Sequence, residues 1–101
     1  MAFLIEQPHS LEKAAQKEAA EKFAVRAQND EQMNSLVHLT WNWADEGRVM
    51  ALDLQGKVKI KGEMRLEAGK VVIELKLPFL ARPFGGIIRR RIEENLKQIF
   101  V

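Results

Sequence analysis

The sequence predicts an α+β domain in the chain order β-α-β-β-β-β-α, with two helices packed on one face of an antiparallel sheet. Three observations lead there. From Leu36 to Leu77 apolar residues recur at every second position, in four runs separated by short turn signals. An alanine-rich stretch with a period near four precedes those runs. A second helical pattern, from Ile87 to Phe100, follows them.

The first element is a short strand, Ala2 to Gln7, rich in apolar residues and stopped by Pro8. Ser10 stands where an N-cap belongs, with Glu12 in the expected first turn. The run from Leu11, LEKAAQKEAAEKFAVRAQ, consists mostly of strong helix formers. Ala15, Ala19, Phe23 and Ala27, with Ala20 and Ala24 beside them, give a stripe of methyl groups around one large anchor, Phe23. Such a face can lie close against a sheet. In QNDEQMNS the period is lost, and the helix is expected to end.

The four runs that follow alternate clearly. Val37, Leu39, Trp41 and Trp43 face one way and His38, Thr40 and Asn42 the other. After the turn Asp45-Glu46-Gly47, Met50, Leu52 and Leu54 alternate with Val49, Ala51 and Asp53. Gln55-Gly56 turns the chain into Val58, Ile60, Gly62, Met64 and Leu66, set against lysines, glutamates and Arg65. Ala68-Gly69 turns it again into Val71, Ile73, Leu75 and Leu77. A meander with one greasy and one charged face is covered on one side only. Gly62 interrupts the greasy face and marks a bulge, a bend or a close backbone approach.

Pro78 ends the fourth run, and PFLARPFGG reads as a loop. In the last helix Phe84, Ile88, Ile92, Leu96 and Ile99 share a face, with Arg89–Glu93 and Arg90–Glu94 as i,i+4 pairs on the other. Arg91 falls on the border of the apolar stripe.

The 101 residues fit one domain, 1–101, with room for one core. Cysteine is absent, which excludes disulfides and thiol catalysis and fits a reducing cytoplasm. No apolar run approaches a membrane span, and the start MAFLIEQPHS lacks the basic region of a signal peptide. A net charge of +2 is too small to argue for nucleic acid. Lys57, Lys59 and Lys61, joined by Lys70 and Lys76, line the outer sheet face, but Glu63, Glu67 and Glu74 share it and the tryptophans lie opposite. A mixed-charge solvated face is the simpler account, with the lysines also guarding an edge.

Catalytic patterns are missing. His9 and His38 lack ligand spacing, so no metal is expected. Ser10 and Ser35 lie in no nucleophile turn, and Glu93 and Glu94 are explained by their arginines. No cofactor fingerprint is present, and no enzyme is expected. Gly85-Gly86, read as preceding a helix with Arg82 and Arg89 nearby, is a plain helix entry or else a site for phosphate, CoA or acidic lipid. Two features ask for more. Asn95 falls in the centre of the last helix's apolar stripe and needs a backbone, water or ligand partner. The segment Phe79-Leu80-Ala81-Arg82-Pro83-Phe84 is unusually apolar for a loop; it either caps the core or offers a contact surface.

Several words in this layout carry a resemblance along the whole chain: His9-Ser10-Leu11 before an alanine-rich helix, Trp41-x-Trp43 at a strand end, Gly62, and Leu77-Pro78-Phe79-Leu80 leading to Ile88-x-x-x-Ile92-x-x-x-Leu96. With them the chain resembles the bacterial polyhydroxyalkanoic acid system proteins, also called granule-associated proteins. The element order is similar to a shortened helix-grip, START-like fold. The resemblance implies a cytoplasmic, granule-linked accessory role in storage-polyester metabolism, without a cofactor. The candidate contact residues are Phe79, Leu80, Arg82 and Phe84, meeting an apolar granule surface, a protein partner or a second copy. The alternative is a carrier or sensor of an apolar acyl-type ligand between sheet and last helix, in a cavity lined by Trp41, Trp43, Met50, Met64 and Ile92, with Asn95 for a polar head.

Overall fold

A computed structural model describes residues 2–100. The strands are β1 (Ala2–Pro8), β2 (Val37–Ala44), β3 (Val49–Gly56), β4 (Lys59–Glu67) and β5 (Lys70–Lys76). The helices are α1 (Lys13–Gln28), a single turn α2 (Glu31–Asn34) and α3 (Arg82–Ile99). All strand pairs are antiparallel, in the order β1-β5-β4-β3-β2. The meander is therefore as predicted, and β1 adds to its far side against β5.

Period-two patterning sets the register. Met50 faces Met64, Leu54 faces Ile60 and Ile5 faces Ile73, so these core residues fall on one side of the sheet. Ala19, Ala20, Phe23, Ala24 and Ala27 of α1 and Ile88, Ile92 and Leu96 of α3 join these strands in one core. Phe100, just past α3, is fully buried in it. The other sheet face stays charged. There Arg65 reaches Glu63 at 2.7 Å, Glu74 at 3.1 Å and Glu67 at 3.7 Å. Val72, opposite Arg65 on one side and Glu6 on the other, is buried on this charged face.

Gly62 keeps a regular register, opposite Leu52 and Leu75, so it marks no bulge. It marks a close approach: a Cβ there would strike the carbonyl oxygen of Glu74 and the side chain of Leu75. Leu75 fills the volume that a side chain at 62 would need.

Several local expectations are corrected. Ser10 is not an N-cap. Helix α1 starts at Lys13, behind Glu12, which makes no side-chain cap bond. The chain instead continues past β1, and His9 Nδ1 accepts the backbone N–H of Leu11 at 3.1 Å. Ala15 is exposed, and Gln16 takes its place on the buried side of α1. This is tolerable because its amide is partnered at both ends, donating to Leu11 O at 3.1 Å and accepting from Arg48 at 2.9 Å. After α1 the chain forms α2, because the Asp30 carboxylate caps it by accepting the N–H of Met33 at 3.0 Å. Val58 lies in the β3–β4 turn, one residue before β4 begins. The lysines of β4 and β5 guard no edge, since the sheet edges are β1 and β2.

The largest correction concerns the start of the last helix. Residues Phe79–Ala81 form one 3-10 turn, and α3 begins directly at Arg82 with Pro83 in its first turn. Proline there has the right φ and no N–H to waste. Gly85 and Gly86 therefore lie inside the helix, not before it, so no glycine-led helix entry exists for an anion.

Candidate functional site

The end of the sheet where β5 runs into α3 gathers the most unusual surface. Pro78 breaks the ladder, and the N–H of Ala81 donates to the Pro78 carbonyl at 2.9 Å, closing the turn. Ala81 is fully buried and pins that turn to the core. Phe79 and Leu80 consequently point outward at 77% and 76% exposure, the most exposed large apolar side chains described. Such side chains, adjacent and held on a tight turn, form a small protruding apolar tip. Phe84 behaves differently: it is partly buried and packs against the core. The predicted loop thus divides, with Phe84 closing the core and Phe79 and Leu80 facing solvent.

The tip has a cationic surround. The Arg82 guanidinium lies 5.7 Å from the Phe79 ring centroid. Lys59, Lys61 and Lys76 line an open hollow with Ala2, Leu77 and Pro78. Lys61 and Lys76 are directly opposite each other across β4 and β5. Neither they nor Lys59 and Arg82 form an ion pair among the described residues. Like charges placed opposite each other cost stability, and the neighbouring Glu63 and Glu74 are already engaged by Arg65.

On the other side of the same end a cleft of about 330 Å³ opens between β1 and α3, lined by Phe3, Leu77, Arg82, Gly85, Gly86 and Arg89. Arg89 lies 5.3 Å from the Phe3 ring centroid and pairs with Glu93 at 2.8 Å. The second expected pair, Arg90 with Glu94, does not form among the described residues.

The remaining candidates lie elsewhere. Trp41 and Trp43 are partly buried on the core side of edge strand β2. Trp43 donates its indole N–H to Glu21 at 2.9 Å, and Lys17 Nζ lies 5.4 Å from its ring. Met50, Met64 and Ile92 are buried in the core. None of the described clefts is lined by these five residues.

Asn95 is buried and its amide is bonded entirely within the protein. It donates to Asp30 Oδ2 at 3.0 Å and to the Arg91 carbonyl at 2.7 Å, and accepts from Arg26 Nε at 3.1 Å. Burial pushes the Asp30 carboxyl up, but the Arg91 guanidinium, the Met33 N–H and the Asn95 amide outweigh it and hold the pKa down at about 2, against an ordinary 3.8. This polar knot ties the α1–α2 junction to α3.

Among the described residues no three or more His, Cys, Asp and Glu side chains gather as a metal site. No helix there is long and apolar enough to cross a membrane. His9 is buried beside Phe100, ring centroids 5.4 Å apart, and its Nε2 has no hydrogen-bond partner; His38 is exposed on the outer face.

Sequence reasoning missed Phe3, Leu77 and the two glycines as a shared wall. The available signal was the spacing of Arg82, Gly85, Gly86 and Arg89, which is one helix face once the helix starts at Arg82. Comparison with known proteins finds a match over residues 3–100 to the family model described as "Putative polyhydroxyalkanoic acid system protein". No curated protein and no solved structure matches the chain.

Proposed function

The chain belongs to the polyhydroxyalkanoic acid system family, and on that premise we propose that it is a non-catalytic accessory protein of polyhydroxyalkanoate metabolism that docks on the apolar surface of a storage granule. The observation that carries the reading is the outward pair Phe79 and Leu80, exposed side by side on a turn that Ala81 anchors. A polyester surface offers esters and methylenes, and exposed aromatic and aliphatic side chains gain by leaving water against it, at roughly 25 cal/mol per Å² buried. Lys59, Lys61, Lys76 and Arg82 around the tip add attraction to any negative charge at that surface.

The non-catalytic part of the reading is supported by how the candidate nucleophiles are placed. Ser35 Oγ donates to the Gln32 carbonyl at 2.8 Å, and Ser10 lies exposed beside a histidine whose Nδ1 already accepts the N–H of Leu11. The test is co-sedimentation with isolated polyhydroxyalkanoate granules. Wild-type protein is expected in the granule fraction, and Phe79→Asp or Leu80→Asp is expected to move it to the supernatant. Wild-type protein that stays wholly soluble with granules present ends this reading.

A further inference from the structure

The two glycines of α3 have no explanation within the fold. Neither has a left-handed φ; among the described residues only Gly47 and Gly69 do so as glycines. A Cβ at Gly86 would meet nothing within 4 Å, and one at Gly85 would make only an ordinary 3.7 Å contact with Leu77. Glycine weakens a helix, and here neither turn geometry nor close packing requires it. Both glycines instead line the cleft between β1 and α3. Their missing side chains leave a bare strip of helix backbone facing Phe3 and Leu77. Arg82 and Arg89 stand at the two ends of the strip, seven residues and about 10 Å apart along the axis.

The two arginines are not equivalent. Arg89 is neutralised by Glu93 at 2.8 Å and lies over the Phe3 ring. Arg82 forms no ion pair among the described residues. No carboxylate lines the cleft, and its volume of about 330 Å³ is at the small end for ligand sites, suited to one chain and not to a protein segment.

We infer that this cleft binds a single aliphatic carboxylate, its chain laid along Gly85–Gly86 between Phe3 and Leu77 and its head paired with Arg82. The glycines let the chain approach the helix backbone, where any Cβ would stand in its way. Arginine suits the head because its planar fork donates two parallel N–H groups to a carboxylate. The site shares Arg82 with the surround of the Phe79–Leu80 tip, but its wall of Phe3, Gly85 and Gly86 is no part of that tip, and binding there does not depend on granule docking.

Decanoate, below its micelle-forming concentration, is the probe, with decanol as the uncharged control. Amide resonances of Gly85 and Gly86 are followed by two-dimensional NMR. Decanoate is expected to shift both to saturation, and decanol to bind roughly tenfold more weakly, a difference that Arg82→Gln removes. Gly86→Leu is expected to fill the cleft and weaken decanoate by roughly tenfold or more while the thermal midpoint stays at or above wild type. The same variant is expected to sediment with granules as wild type does, so the two readings fail separately. Unmoved Gly85 and Gly86 resonances, equal affinity for decanoate and decanol, or undiminished binding by a folded Gly86→Leu each overturn the proposal; should Gly86→Leu not fold, Arg82→Gln decides it.

Discussion

Arg91 donates both Nε and Nη2 to one oxygen of Asp30, at 2.9 and 2.8 Å, across 61 residues of chain. The same oxygen accepts the Asn95 amide at 3.0 Å, and the other oxygen caps α2 through Met33. One carboxylate thus holds a short helix in shape and fastens it to α3. The Asp30 side chain is only 5% exposed, so its charge is sustained by these partners and not by water.

Replacing that carboxylate gives a pH-dependent loss. The folded pKa of Asp30 is about 2 and the ordinary value is 3.8. A depressed carboxylate contributes stability that is complete above the unfolded pKa and disappears as pH falls through the folded one. The contribution is on the order of 2 kcal/mol. Asp30→Asn is expected to unfold more easily than wild type at neutral pH, and the gap should close between pH 3.8 and 2. Urea melts across that range check it; a gap independent of pH contradicts it.

Gly62 should resist substitution. A Cβ there meets the Glu74 carbonyl and Leu75 in a fully paired inner strand, where neither can move aside. Gly62→Ala is expected to cost about 2 kcal/mol through overpacking. Denaturant unfolding with an unchanged m-value would show it.

Gly85 and Gly86 should behave in the opposite way. With open space or ordinary contact at each, Gly85→Ala and Gly86→Ala are expected to stabilise α3 by about 0.5–1 kcal/mol each. Thermal denaturation measures this directly. A loss of stability at either position would mean that the fold itself needs the glycine.

The apolar tip should be dispensable for folding. Phe79→Asp and Leu80→Asp remove side chains that are 77% and 76% exposed, and both variants are expected within about 0.5 kcal/mol of wild type. Their circular dichroism melts should overlay the wild-type curve. Granule release without a stability change would then report on contact alone.

The sheet was legible because a period of two carries through all four runs despite Gly62 and Val72, and the turn signals lie at or within two residues of the observed turns. What escaped were features set by distant partners. Asp30 lies in a stretch that reads as a loop, while its partners Arg91 and Asn95 are far along the chain. The clue was there in α3: two polar residues four apart within an apolar stripe call for a buried polar counterpart. The start of α3 escaped for a different reason. Gly85-Gly86 is a local breaker signal, but the burial of Ala81 and Ile88 and the packing of Phe84 against the core override it. At the tip, sequence showed that the segment is apolar; only the anchored turn decides that Phe79 and Leu80 face out and Phe84 packs inward.

Among the described residues strand β1 pairs only with residues 70–76, so Ile5 meets Ile73 across most of the chain. Strands β2 to β5, by contrast, join through consecutive hairpins. Closing a long loop costs more entropy than closing a short one, so the hairpins have the head start and β1 docks late. During synthesis β1 therefore waits for this partner until β5 has been translated, with the apolar Phe3 and Ile5 lacking their ladder contacts for that time. Pulse-labelled hydrogen exchange should find protection in the meander first and at Ile5 last.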